Sequence, residues 1–109
     1  MTVRELAEVL NLEIISKGNH LDTNIQGCFA GDLLSLAMSG VHSSDVWVTV
    51  QTNVNILGIA ALTDAACVIV ANGMNIPSEV SAKAAEEEIC LLRSDKGAYE
   101  LCCLIGKSI

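Results

Sequence analysis

From residue 45 to the C-terminus, the chain alternates three times between a short apolar run and a longer helical segment. The three runs, at residues 45–51, 67–71 and 89–93, have the length of buried strands rather than of helices. Short connections that contain a helix bring consecutive strands into a parallel sheet through right-handed crossovers. The alternation therefore predicts an α/β fold: a single three-layer domain, residues 1–109, with a mostly parallel sheet and helices on both faces.

The first of these runs is the clearest strand, because residues 46–50 read Val-Trp-Val-Thr-Val and are apolar on both faces. A strand covered by helices on each side needs that pattern. We expect the following helices to begin at Thr52 or Asn53, near Pro77, and at Ser94 or Asp95. Their predicted ends are residues 65, 88 and 107.

The N-terminal part adds two helices and two extended segments. Thr2 and Glu5 have the spacing of a capping box, which predicts a helix through residue 10. A strand is expected at 12–16, followed by a turn at 17–19 that contains a glycine.

A second extended segment, at 24–29, leads into a predicted helix that runs through residue 39. Asp32 is expected to be the N-cap of this helix and Gly40 its stop signal.

The charge balance excludes two classes of partner. Thirteen acidic residues face six basic ones, which gives a formal net charge of −7. Nucleic acids and anionic membrane surfaces are recognised by clustered basic residues. Here the six are scattered along the chain: Arg4, Lys17, Lys83, Arg93, Lys96 and Lys107.

Neither a membrane span nor a signal peptide is indicated. No run approaches the roughly 18 apolar residues that a spanning helix needs. The first residues include an acid and lack an extended apolar core. The chain is therefore expected to stay in the cytoplasm.

The five cysteines form no Cys-x-x-Cys pair, and their number is odd. Neither a disulfide framework nor a metal site is indicated, and no cofactor is expected. Cys67 and Cys90 are expected to be buried at strand starts. Cys28 is expected at a strand end beside a ligand-side loop, where it would react first.

Self-association is indicated by the excess of apolar residues. Hydrophobic residues make up 51% of the chain, and eight glycines come in addition; soluble domains reach about 45–50% with glycine included. The helical segment 54–62 is apolar nearly all round, whereas a helix with one solvated side keeps a polar stripe. We therefore expect a homodimer that covers the outer face of this helix.

Three stretches resemble the DRTGG domain family: residues 31–35 (Gly-Asp-Leu-Leu-Ser), 45–56 (Asp-Val-Trp-Val-Thr-Val-Gln-Thr-Asn-Val-Asn-Ile) and 65–73. The resemblance extends from about residue 12 to residue 107. The motif that names the family is altered: Ala71-Asn72-Gly73 stands where Thr-Gly-Gly is common, so only Gly73 carries over.

This resemblance implies a fold like the N-terminal domain of HPr kinase/phosphorylase, without its kinase domain. It also implies a regulatory or dimerising role rather than a catalytic one. Members of the family occur in that role beside CBS domains and as short separate proteins of anaerobes. The chain contains no Gly-x-x-x-x-Gly-Lys-Ser/Thr loop to hold ATP phosphates. No constellation of nucleophile, base or metal ligands is visible, so we expect no enzyme.

A ligand in a parallel sheet binds at the carboxyl ends of the strands. The helix after residue 51 offers neutral donors and no acid before Asp64, which suits a phosphate or carboxylate. Residues of two neighbouring loops are therefore expected to line a crevice at this edge: Gln51, Thr52, Asn53, Asn55 and Gly73, with Asp32 at the rim.

Two alternatives remain open at the sequence level. Thr52 and Asn53 could serve only as helix caps, and Asp32 only as the cap of its own helix. The leading function is a non-catalytic regulatory or dimerisation module that binds a small anionic ligand such as a nucleotide. The alternative is a structural adaptor without a small ligand, docking on a redox enzyme such as a hydrogenase.

Overall fold

The computed structural model describes residues 1–109 and contains five strands and five helices. The strands are β1 (Glu13–Ser16), β2 (Gly27–Ala30), β3 (Asp45–Thr49), β4 (Cys67–Val70) and β5 (Leu91–Arg93). The helices are α1 (Val3–Val9), α2 (Leu34–Gly40), α3 (Asn55–Thr63), α4 (Ser78–Glu86) and α5 (Ala98–Ser108).

One sheet joins the strands in the order β1-β5-β4-β3-β2. The four strands β2 to β5 are parallel, and β1 pairs with β5 in the antiparallel direction. Every residue of β3 and β4 is buried, as predicted from their apolar runs. The mostly parallel α/β sheet expected from the alternating pattern is confirmed.

Helices cover both faces of the sheet and create two apolar clusters. On one face, α1 and α5 contribute Leu6, Leu101 and Ile105 to a cluster of 17 buried residues. On the other, α2, α3 and α4 surround Trp47 in a cluster of 13 buried residues. The Trp47 indole N–H donates to the carbonyl oxygen of Gly31 at 2.9 Å, so its one polar group is satisfied although the residue is fully buried.

The strands β1 and β2 follow each other in sequence but lie at opposite edges of the sheet. The connecting segment, residues 17–26, runs along the edge formed by the amino ends of the parallel strands. Its turn at Gly18 has a φ of +57° and lies against the backbone of Glu88, Ile89 and Cys90. This crossing, and the antiparallel pairing of β1, were not predicted.

The capping box at the start of α1 is confirmed. The Glu5 N–H donates to the Thr2 hydroxyl at 3.2 Å, and the Thr2 N–H donates to a Glu5 carboxylate oxygen at 2.9 Å.

Two other predicted caps are wrong. The helix α2 begins after Leu33, without a side-chain cap, because the Asp32 carboxylate is engaged elsewhere. The helix α5 begins after Gly97 rather than at Ser94 or Asp95. Ser94 instead accepts a hydrogen bond from the Lys96 N–H at 3.1 Å within the preceding turn.

None of the helices is both long enough and apolar enough to cross a membrane. No group of three or more metal-ligating side chains is assembled by the fold.

Candidate functional site

Asp32 ties two neighbouring loops together at the carboxyl ends of the parallel strands. Its Oδ1 accepts hydrogen bonds from the hydroxyl of Thr49 and from the N–H of Val50, both at 2.8 Å. The Gln51 side-chain amide donates to the Asp32 carbonyl oxygen at 3.1 Å. Asp32 and Gln51 therefore do lie together, but the carboxylate joins β2 to β3 rather than capping a helix.

The entry to α3 leaves three backbone donors unpaired. The N-cap of α3 is Val54, without a side-chain cap, so the predicted cap at Thr52 or Asn53 is wrong. Asn53 Oδ1 instead accepts from the N–H of Asn55 at 2.8 Å, within the turn that leads into the helix. The N–H groups of Thr52, Asn53 and Val54 donate to no acceptor within the chain. No acidic residue lies in the first turn of α3, which leaves the positive end of the helix dipole uncompensated.

Gly73 lies in the loop after β4, at the same edge of the sheet. Its φ is +64°, and its N–H donates to the carbonyl oxygen of Ser94 at 2.9 Å. A Cβ placed on Gly73 would lie 3.1 Å from Asp95 Oδ1. Gly73 is thus held against the end of β5 and the residues that follow it.

Arg93 organises the loop that contains Gly73, and sequence analysis missed this role. Its guanidinium donates to the carbonyl oxygens of Gly73 at 2.7 Å and Met74 at 2.8 Å. It also pairs with Glu13 at 3.1 Å and lies 3.8 Å from Asp95. A basic residue at the last position of a buried strand was the available signal, but its acceptors are backbone atoms that no sequence motif marks.

Both cavities of the structure lie at the opposite edge, where the parallel strands begin. The first, of about 170 Å³, has Cys67 and Cys90 in its wall and Asp64, Glu87 and Glu88 among its polar residues. The second, of about 370 Å³, is an open groove beside Gly18. The predicted crevice at the carboxyl edge is therefore a surface of loops and free amides without a cavity of its own.

The acidic residues of the first cavity already have partners. Asp64 accepts from the Ser43 hydroxyl at 2.7 Å and lies 3.4 Å from His20 Nε2. Glu88 accepts from the Asn19 side-chain amide at 2.5 Å, and Glu87 pairs with Lys83 at 3.5 Å. A negatively charged ligand would meet three carboxylates there, so the carboxyl edge is the better location for an anion.

An apolar surface extends over α2 and α3, which pack against each other on one side of the sheet. Leu36 is 59% exposed and Leu62 is 70% exposed. Because residues 54, 58, 61 and 62 share one side of α3, they form a continuous stripe there. We call this surface the α2–α3 face; it comprises Leu33, Leu36, Val54, Gly58, Ala61 and Leu62.

Cys28 was expected at a strand end beside a ligand-side loop. The structure places it inside strand β2 instead. Burial of its thiol, with Cys102 beside it, raises the pKa of Cys28 to about 12. So high a pKa slows the reaction of the Cys28 thiol, whereas its exposure at the edge of the sheet favours the reaction. The expectation that Cys28 reacts first stays a prediction. The predicted burial of Cys67 and Cys90 is confirmed.

Comparison with solved structures shows a similar fold in a crystal structure of the CBS and DRTGG domains of the regulatory region of Clostridium perfringens pyrophosphatase, complexed with the activator diadenosine tetraphosphate. The TM-score is 0.75 at 11% sequence identity, over 99% of this chain and 47% of that one. The DRTGG-like α/β fold expected from the sequence is thereby confirmed. No protein-family model matches the chain, and no curated protein matches it significantly.

Proposed function

We propose that this chain is a non-catalytic regulatory module that binds a small anionic ligand, such as a nucleotide, at the carboxyl edge of its sheet. The observation that carries the proposal is the set of three unpaired amides at Thr52, Asn53 and Val54, directly before α3. Unpaired N–H groups at the positive end of a helix are a common binding site for phosphate. The regulatory region with the similar fold is complexed with a dinucleotide activator, which supports a nucleotide as the first ligand to test.

The neighbouring residues provide further polar groups. Gln51 is half-buried and held by Asp32, so its position is already fixed before a ligand arrives. Asp32 is exposed, and its Oδ2 makes no hydrogen bond within the chain. This second oxygen would accept a hydrogen bond from a sugar hydroxyl, while its charge would oppose a phosphate placed too close.

We also propose that two copies associate through the α2–α3 face. A stable interface buries about 800 Å² on each partner, which is a minor part of the 5460 Å² surface of this chain. An exposed leucine such as Leu62 gains favourable free energy when a second copy covers it.

A thermal-shift titration with diadenosine tetraphosphate and ATP tests ligand binding. At a concentration 100 times the Kd, a ligand stabilises the native state by about 2.7 kcal/mol. For a domain of this size, that corresponds to an increase of roughly 10 °C or more in the melting temperature. If neither compound raises the melting temperature at millimolar concentration, the nucleotide proposal is wrong.

Two matched variants locate the site. Asn53→Asp keeps the acceptor for the Asn55 N–H but adds a negative charge before α3, so we expect nucleotide binding to weaken by about 1 kcal/mol, about fivefold in Kd. Asp32→Asn keeps an oxygen for Thr49 and Val50 but replaces Oδ2 with an amide donor. Inorganic triphosphate, which has no sugar hydroxyl to lose, should therefore bind more tightly to this variant because a negative charge is removed. Without ligand, both variants should melt close to the wild type. Equal affinity in all three proteins would place the ligand elsewhere.

The second candidate function is a structural adaptor that docks on a redox enzyme, for example a hydrogenase, without a small ligand. The absence of a cavity at the carboxyl edge, together with the exposed α2–α3 face, favours it. An adaptor would show no thermal shift with nucleotides. Its binding to a partner enzyme would be lost when the α2–α3 face is altered and kept when Asn53 is altered.

A further inference from the structure

Cys28 and Cys102 are placed by the fold at the interface between the edge strand β2 and the helix α5. Successive side chains of a strand point to opposite faces of the sheet. Phe29 packs in the cluster beneath α2, α3 and α4, so its neighbour Cys28 points to the other face. Val46, the register partner of Cys28 on β3, belongs to the cluster beneath α1 and α5. Cys28 therefore lies on the α5 side.

Cys102 reaches the same place from the helix. The helix α5 packs against β2 and β3. Its residues Leu101 and Ile105 are fully buried against the sheet, and Cys102, which is half-buried, packs at the border of the same cluster. Both cysteines are therefore on facing sides of the interface between β2 and α5. In keeping with this placement, Cys102 contributes, after burial, to the raised pKa of Cys28. Cys28 is solvent-exposed, since no strand covers this edge of the sheet.

We propose that Cys28 and Cys102 are an oxidation site, which forms a reversible disulfide when a low-molecular-weight disulfide such as oxidised glutathione is present. In the first step, one protein thiolate attacks glutathione disulfide, forms a mixed disulfide and releases one reduced glutathione. In the second step, the other protein thiolate attacks the protein sulfur of that mixed disulfide and releases the second glutathione. The two protein thiols lose two electrons and two protons, and the glutathione disulfide is reduced to two thiols.

The surroundings of Cys28 set the order of these steps. Burial disfavours the Cys28 thiolate most, and Cys102 on α5 and Asp45 on β3 add to this effect, so the pKa of Cys28 is raised. Cys67 on β4 faces the same side of the sheet as Cys28, with Val46 of β3 between them. Because the Cys28 pKa is about 12, Cys102 makes the first attack, and closure by Cys28 is the slower step. Well below that pKa, the thiolate fraction of Cys28, and with it the closure rate, rises about tenfold for each pH unit.

The disulfide would join the edge strand β2 to the C-terminal helix α5, two elements that are far apart in sequence. A cross-link over so long a loop restricts the unfolded chain strongly. The oxidised protein is therefore expected to melt at a higher temperature than the reduced protein, and a thiol reductant should reverse the change. The cross-link between β2 and α5, and with it the melting temperature, would then depend on the redox state of the surrounding glutathione.

Incubation of the full chain with excess oxidised glutathione at pH 7 and pH 8, followed by alkylation and peptide mass spectrometry without reduction, tests the proposal. We expect two of the five thiols to be lost, a cross-linked peptide pair containing Cys28 and Cys102, and about tenfold faster closure at pH 8. At pH 7, the mixed disulfide should accumulate on Cys102.

Three serine variants provide the controls. Cys103→Ser should oxidise like the wild type, because Cys102, and not its sequence neighbour Cys103, packs against the apolar cluster between α5 and the sheet. Cys102→Ser should give no cross-link, and Cys28→Ser should stop at the mixed disulfide. A cross-link from Cys28 to Cys103, a Cys102–Cys103 disulfide as the main product, or five free thiols after prolonged oxidation of the native protein would each overturn the proposal.

Discussion

Replacing Gly18 with alanine is expected to lower the free energy of unfolding by about 3 kcal/mol, one of the two largest effects that we expect from this structure. Gly18 has a φ of +57°, which an alanine adopts only with strain. The added Cβ would overlap the N atom of Cys90 and would lie 2.7 Å from the carbonyl oxygen of Glu88. Both are backbone atoms of the connection into β5, and neither can move aside alone.

Gly58→Ala is the matched control for this prediction, measured in the same urea denaturation experiment at low protein concentration. Gly58 lies inside α3, and a Cβ there would meet nothing within 4 Å. Alanine in a helix is about 0.8–1 kcal/mol more favourable than glycine. The free energy of unfolding should therefore rise by about that amount. If Gly18→Ala unfolds at the wild-type urea concentration, the close contact between residues 17–19 and 88–90 is wrong.

The second large effect is expected on the assembly state. The double variant Leu36→Lys/Leu62→Lys places two charges on each copy of the α2–α3 face. Burying them in a symmetric interface would cost desolvation and like-charge repulsion. We expect association to weaken by at least about 2 kcal/mol, roughly 30-fold in the dimer dissociation constant. Light scattering at micromolar concentration should then give 11.5 kDa instead of twice that mass.

Tyr99→Lys is the control for the assembly experiment. Tyr99 is 84% exposed, and it lies on α5, which covers the opposite side of the sheet from α2 and α3. The Tyr99→Lys substitution should leave the mass measured by light scattering unchanged. Exposed substitutions of this kind change stability by about 0.5 kcal/mol or less, so all the variants should remain folded. A wild-type mass of 11.5 kDa at micromolar concentration would contradict dimer formation through any surface.

Local patterns in the sequence were sufficient to predict the strands that are buried on both faces. The apolar runs at β3 and β4 are continuous, and burial requires that composition. The edge strands were less predictable. The strand β2 alternates between half-buried and exposed residues, and its start was placed three residues too early. The order of strands depends on contacts between distant residues, which explains why β1 was not assigned to the far edge beside β5.

The candidate site shows the same division. The loop after β3 and the helix that follows it were predictable to within about two residues, because a helix start is encoded locally. The contact that Asp32 makes was not predictable from the sequence. A Gly-Asp-Leu-Leu sequence predicts an N-cap, but the carboxylate instead binds Thr49 and Val50, which lie 17 and 18 residues further along the chain. Tertiary hydrogen bonds prevailed over the local preference. Whether the edge binds a ligand stays a prediction.

The crossing of residues 17–26 from one edge of the sheet to the other has a consequence for the order in which the chain folds. The strands β2 to β5 are connected by consecutive crossovers, so each can add to its predecessor at a small cost in loop entropy. The strand β1 pairs with β5 across nearly eighty residues of sequence. Because closing so long a loop costs conformational entropy, this pairing forms late in folding. We therefore expect the N-terminal strand to dock last and to detach first. Hydrogen exchange should find its amides among the least protected of the sheet. Because β1 is synthesised before the other four strands, it must wait for β5 before that edge of the sheet can close.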